Sequence, residues 1–382
     1  MHRITLIGAS FAALTAVQRI RALAPATEIT LIAPRPEFLF YPSLIWIPSG
    51  LRQGEDLRID LRAFLLRQGV RFHQASVTGL AEGGRRVLTD AGPVDNDGLI
   101  IAAGGRFIKR LPGIEHALIP CASIEVAEAI RDRVQALSGG VLAFGFAGNP
   151  HEPAAVRGGP MFEFLFGIDA LLRQQGRRDR FKLVFFSPAE QPGQRMGPPA
   201  VARLLKRMGE LGVETRLGRK MVRFEADKVV TEGGEFAADL ILFMPGLTGP
   251  AWLEQTELPK SPGGMIQANA QCRVAGWERV YVAGDAGSFP GPDWMPRQAH
   301  MADLQAQAAA ANLLAELAGK TPTATFKTEL ICILDMLDRG MLVWRTPERL
   351  ITLPPTRFGH LAKRFYECRT YALTDEKICD SL

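Results

Sequence analysis

The chain has 382 residues, 47% of them hydrophobic and 22% charged, with 38 Gly, 26 Pro and a net charge of +5, which describes two or three globular domains with many tight loops and excludes a fibrous or disordered chain. The cations are scattered, with no basic stripe interleaved with aromatics, which sets nucleic acid aside. No apolar run reaches the roughly 18 residues that cross a bilayer, and the N-terminus reads directly as a strand rather than an export signal, so a cytoplasmic location is expected.

Arg3 to Gly8 is an apolar run ending in glycine, residues 11–23 carry helical periodicity through Phe11, Leu14, Val17, Ile20 and Leu23, and residues 28–32 read as a second strand. That strand–helix–strand unit has the size of a βαβ unit. A further strand at 98–105 closes the first segment. A second α/β pattern follows: a helix over about 124–137, a strand over 141–146, a Gly/Pro-rich loop, a helix over 161–175, a strand over 182–186, a helix over 199–212 and β-ribbon segments to about 237. The strand Asp239 to Phe243 is expected to return to the first unit. A strand and turn at 279–285 and an Ala-rich helix over 298–317 end this part, and Gly319-Lys320-Thr321-Pro322 marks the start of the last segment. The predicted fold class is α/β: two Rossmann-like dinucleotide-binding domains with a C-terminal helical or extended segment. The first domain is discontinuous, 1–110 and 239–318, around a second at 111–238, with 319–382 at the C-terminal end.

Three motifs carry chemistry. Gly8-Ala9-Ser10-Phe11-Ala12-Ala13 lies between the first strand and its helix, where a dinucleotide pyrophosphate needs a tight turn, close backbone approach and helix N-terminal N–H groups. Ser10 and Ala13 stand where the usual pattern has its second and third glycine, so by itself the motif reads equally as a generic strand–helix junction. At the end of the second strand, Ala33-Pro34-Arg35 replaces the usual acidic ribose ligand, and Arg35 reaching a phosphate is one substitute. Val282-Ala283-Gly284-Asp285-Ala286 follows a strand and precedes a long helix, as does the ribityl-binding Asp of flavoproteins with two dinucleotide-binding domains. Ala103 and Gly104 stand at a third strand end. In the second domain, Pro150 and Pro153 interrupt the loop after Phe146 and remove N–H donors from the place where a nicotinamide dinucleotide would need them.

With these motifs in order, the chain resembles the sulfide:quinone oxidoreductase family and the related flavocytochrome c sulfide dehydrogenases, nearly end to end. The resemblance rests on Phe40-Tyr41-Pro42-Ser43-Leu44-Ile45-Trp46, Gly159-Pro160-Met161-Phe162-Glu163-Phe164, Pro296-Arg297-Gln298-Ala299-His300-Met301-Ala302, Cys332 to Gly340 and the tail from Phe358 to Phe365. It implies an FAD-dependent enzyme in which sulfide, or a related thiol or persulfide, attacks a protein disulfide beside the flavin and electrons leave to a quinone. Sulfide suits such an exchange, being a good nucleophile. Cys332 matches the family's C-terminal redox cysteine. Cys121 matches an earlier cysteine just ahead of a helix, whose macrodipole is expected to lower its pKa.

The family's central redox cysteine is Arg157 here, which holds an anion but forms no disulfide. Either Cys121 and Cys332 supply the pair, or Cys332 works alone, or sulfide is not the substrate. Arg297 replaces a lysine near the flavin, and the lack of a cysteine near Tyr41-Pro42 implies non-covalent FAD. Two rivals stay open: an NAD(P)H:quinone oxidoreductase of the type II NADH dehydrogenase kind, and a flavin-bearing sensor or partner subunit.

Without CxxC spacing, the five cysteines indicate neither a disulfide framework nor a metal site. Cys272, Cys368 and Cys379 read as inert, and Cys332 apart from its motif as a core residue of a helix. Glu163 is a proton carrier or a helix N-terminal carboxylate, and His151 and His300 are structural or acid–base residues. In the tail, Phe358, Leu361, Phe365 and Tyr366 fall at 3–4 spacing among Lys363, Arg364 and Arg369. Such a helix rests on the inner membrane surface, on the protein's own core or on a homodimer mate.

Overall fold

Strands of Ile, Leu and Val without polar alternation need cover on both faces, which parallel sheets between helices supply. In the computed structural model, which describes residues 1–374, the chain opens with β1 (Arg3–Ile7), α1 (Phe11–Leu23), β2 (Glu28–Ala33), β3 (Val70–Gln74) and β4 (Gly98–Ile101). Next come α2 (Ile124–Ala136), β5 (Gly140–Phe146), α3 (Gly159–Gln174), β6 (Phe181–Ser187), α4 (Pro198–Glu210), β7 (Glu214–Leu217) and β8 (Leu240–Met244). The chain returns through β9 (Val280–Val282) and α5 (Ala299–Leu317). It ends with β10 (Leu330–Asp335), β11 (Gly340–Arg345), β12 (Leu350–Thr352) and α6 (Arg357–Thr374). Cys379 lies outside the described residues.

The first sheet has the order β9-β4-β1-β2-β3 and is parallel throughout. Its order reverses at β1, and a crevice opens at the strand ends there, where ligands of α/β sheets bind. The second sheet has the order β7-β6-β5-β8, also parallel. This corrects the expectation for Asp239 to Phe243. The strand exists, but Leu240–Met244 pairs with Gly140–Phe146 in the second sheet, and it is β9 that returns to the first.

Alanines on both helices let α1 and α5 lie close: Ala13 and Ala16 face Ala306, Ala309 and Ala310 in one core cluster. The Thr15 hydroxyl on α1 donates to the Asp303 carboxylate on α5 at 2.7 Å.

The last segment is an antiparallel sheet, β10-β11-β12, backed by α6. Cys332 therefore sits on a strand, not a helix. The continuous run Leu330–Asp335 fits either state by periodicity, and pairing with β11 decides it. Gly359 at the start of α6 packs onto β11 so closely that a Cβ there would lie 2.2 Å from the Gly340 carbonyl oxygen. Leu334, Met341 and Val343 join Met161, Phe162 and Leu165 of α3 in one core, which fixes the C-terminal sheet over the second domain.

Candidate flavin and redox site

The site begins at Gly8. Its φ is +117°, and a Cβ there would stand 2.2 Å from the carbonyl oxygen of Ala102 at the end of β4, so only glycine fits between the two strand ends. α1 follows at once with Ser10 as its N-cap and no side-chain cap, leaving first-turn N–H groups directed at the crevice. Opposite, Gly284 takes φ +76° and donates its N–H to the Gln305 side chain at 2.9 Å, presenting Asp285. Between them lies a cavity of about 1890 Å³, beyond the roughly 300–1,000 Å³ of ordinary small-molecule sites and matched to a dinucleotide.

Gly8, Ala9, Ser10, Phe11, Ala12, Pro42, Ala103, Gly104, Gly284, Asp285 and Arg297 all line this cavity, as do Cys121, Arg157, Glu163 and Cys332. Pro34 and Arg35 do not. The Arg35 side chain is 68% exposed and lies 3.5 Å from Glu37, so the idea that it reaches a phosphate is corrected.

Two charged groupings occupy the middle. In the first, Arg157 forms an ion pair with Asp285. Arg297 donates to the carbonyls of Asp285 at 3.0 Å, Gly287 at 2.7 Å and Ala154 at 3.3 Å, and its guanidinium stands 3.8 Å from Glu152. Arg195 donates to the carbonyls of Val156 and Ala154, both at 2.9 Å; burial, with Arg297 nearby, pushes it down to about 10. Arg195 and Arg297 thus clamp residues 153–156 and set where Arg157 emerges.

In the second grouping, Glu163 on α3 is buried, accepts the Asp335 N–H at 2.8 Å and pairs with Lys363 of α6, which also donates to the Ile333 carbonyl at 3.3 Å. Burial raises the Glu163 carboxyl despite Lys363. For Lys363, burial alone would lower the ammonium, but the charges of Glu163 and Asp335 hold it above the usual lysine value. Asp335 continues the chain, accepting from Trp46 Nε1 at 3.0 Å and meeting His360 Nδ1 at 2.7 Å. Burial pushes its carboxyl up, but those hydrogen bonds and the charge of Lys363 bring it below the ordinary carboxylate range. A proton can be held at several points between Cys332 and the outer end of α6.

Cys121 and Cys332 are free thiols, and burial pushes each up to about 12. This corrects the expectation that the helix after Cys121 lowers its pKa. Ser123 already caps α2 by accepting the Val126 N–H at 3.3 Å, and loss of hydration outweighs the nearby Arg157. Cys272 and Cys368 are buried and do not line the cavity. His151 stands exposed at the cavity edge, and His300 meets Glu329 at 2.9 Å, which also accepts from Trp344 at 2.6 Å.

Sequence reasoning missed Lys363 as a site residue, together with Arg195, Trp46 and the Asp335–His360 pair. Trp46, Asp335, His360 and Lys363 lay inside stretches already singled out, but Lys363 stands 200 positions from Glu163, and no local pattern joins the two.

The pyridine nucleotide-disulphide oxidoreductase family matches residues 2–306. The chain belongs to that family. A sulfide-quinone reductase of Aquifex aeolicus is 22% identical over 388 residues, covering 95% of this chain and 89% of the relative. A type II NADH:quinone oxidoreductase of Staphylococcus saprophyticus is 22% identical over 360 residues, covering 88% and 86%. The crystal structure of the sulfide:quinone oxidoreductase from Aquifex aeolicus superposes with a TM-score of 0.90 at 21% identity, covering all of this chain and 93% of that one, which shows a shared fold. The protein is an FAD-dependent oxidoreductase similar to sulfide:quinone oxidoreductases. Its residues fit FAD: the cradle at Gly8 admits no side chain, and Asp285 waits opposite an uncapped helix terminus.

Proposed function

We propose that the protein takes electrons from a sulfur compound, passes them through non-covalent FAD and delivers them to a quinone. The observation that carries this reading is that Cys332 and the buried Glu163–Lys363–Asp335–His360 chain line or adjoin the cavity that holds the dinucleotide cradle. When bound, the flavin supplies two-electron chemistry; everything else falls to the chain. Cys332 meets the donor sulfur. Arg297, clamped to the Asp285 carbonyl and lining the cavity, would offer positive charge to a bound flavin, whose reduction adds negative charge. Glu163 and Lys363 hold the proton that accompanies electrons to the quinone. No cysteine stands near Tyr41-Pro42 in the sequence, which supports a flavin held without a thioether.

Delivery to a quinone dissolved in lipid requires a face that meets the bilayer. Phe358, Leu361 and Phe365 of α6 are 78%, 51% and 63% exposed and form an apolar face at 3–4 spacing. Among the described residues no helix is long and apolar enough to cross a membrane, so the reading is attachment at the inner membrane surface, with a second copy of the chain as the competing cover.

The NAD(P)H alternative has a named relative in its favour, but the loop of residues 147–158 separates β5 from α3 and carries Pro150 and Pro153, which offer no N–H to a pyrophosphate. Asn149 ties it to the Leu247 and Gly263 carbonyls, both at 2.9 Å. Anaerobic stopped-flow of the FAD-loaded protein with sulfide, then decylubiquinone, tests the proposal. Bleaching by sulfide and recovery with the quinone are expected. Bleaching by NADH but not by any sulfur compound overturns it.

A further inference from the structure

Nine lysines and arginines line the cavity against four carboxylates, and the two negative charges of an FAD pyrophosphate leave part of that surplus uncompensated. Exposed Lys109 and Arg110 at the mouth raise the local concentration of anions. Within, Arg157 spends one nitrogen, Nη2, on Asp285; among the described residues no protein acceptor meets its Nε or Nη1. Its neighbours Arg195 and Arg297 are committed to backbone carbonyls and fix the loop that presents it. A free guanidinium edge matches a planar oxyanion and has little to offer a bare sulfide ion.

Resting on the reading that a sulfur compound reduces the flavin, we propose that this donor is a small thiol bearing a carboxylate, which Arg157 binds, and that the donor's own sulfur replaces the redox sulfur this chain lacks at position 157. The donor thiol and the Cys332 thiol form a mixed disulfide, releasing two protons and two electrons, and the electrons enter FAD. A second donor thiol then displaces the first as a symmetrical disulfide and regenerates the Cys332 thiol. In sum, two thiols become one disulfide, FAD gains two electrons and two protons, and the quinone reoxidises it.

The test compares mercaptoacetate with neutral 2-mercaptoethanol in anaerobic stopped-flow of the FAD-loaded protein. The expected result is an apparent Kd for mercaptoacetate lower by about tenfold or more, in line with a charge-assisted hydrogen bond, together with loss of that preference in Arg157→Gln and partial retention in Arg157→Lys. Acid quenching followed by mass spectrometry should find the mercaptoacetate adduct on Cys332. Equal constants for the two thiols, or a preference undiminished in Arg157→Gln, overturn the proposal. If no sulfur compound bleaches the flavin, the sulfur-donor reading fails on its own. The anion site is then judged by the change mercaptoacetate causes in the oxidised flavin spectrum: a change present in wild type and lost in Arg157→Gln sustains the site, and no change overturns it. Should Arg157→Gln not fold, propionate competing with the donor in wild type, at concentrations where chloride does not, sustains the site; no competition overturns it.

Discussion

At Cys121 loss of water and the positive charge of Arg157 oppose each other, and burial wins; at Cys332 the negative charge of Glu163 adds to burial against the weaker pull of Lys363. With thiols near 12, the thiolate fraction at pH 8 is minute, and the higher nucleophilicity of a basic thiolate recovers only part of the loss. Iodoacetamide at pH 8 should therefore label both residues about a hundredfold more slowly than free cysteine in the native protein, read by peptide mass spectrometry; labelling at the free-thiol rate would contradict the burial argument. Asp303 gives a second test. Burial raises its carboxyl to about 6 although the Thr15 hydroxyl donates to it. A carboxylate with a raised native pKa contributes stability below its unfolded value near 4, and that contribution is lost as pH rises through 6. Asp303→Asn should therefore melt higher than wild type at pH 8, with the advantage vanishing at pH 4. Of the site residues, Gly8, Asp285, Cys332 and Glu163 were legible because each sits in a local pattern tied to a strand end or a quoted stretch. Lys363 also sits in a quoted stretch, but its role was not legible, since the need for a buried ammonium exists only once α6 folds over α3.

α6 is held by a second buried pair one turn after Lys363, where the Arg52 guanidinium donates to both carboxylate oxygens of Glu367, at 3.2 Å through Nε to Oε1 and 2.5 Å through Nη2 to Oε2. Taking away one partner of such a pair leaves a buried charge without its counterpart, at a cost of about 3–5 kcal/mol, whereas replacing both with apolar groups of similar volume is far milder. Chemical denaturation should show Glu367→Ala losing stability on that scale and Arg52→Met combined with Glu367→Leu recovering most of it. The elements themselves were largely readable: α1, α2, α4 and α5 and strands β1, β5 and β6 fall where periodicity put them. Two errors have physical causes. A run of six residues such as Leu330–Asp335 has no length to separate helix from strand, so Cys332 was placed on the wrong element. β8 was found but assigned to the wrong sheet, because an all-apolar strand needs neighbours on both sides and does not name them.

In the proposed function, the apolar face of α6 meets lipid and the cationic cavity meets water. Vesicle flotation should show the triple variant Phe358→Ser, Leu361→Asn, Phe365→Ser losing most of its lipid-bound fraction while retaining FAD, because these side chains point outward and support no core. Truncation of the tail would be a poorer test, as it also removes Lys363 and Glu367 from their buried pairs. The crevice that receives the flavin is built from Gly8 and from Asp285, and β9, beside the second of these, is the last strand of the first sheet to enter the chain. Both walls therefore exist only once every residue from Gly8 to Asp285 has been synthesised. Until β9 pairs with it, β4 is an open sheet edge, and the flavin cradle has only one wall.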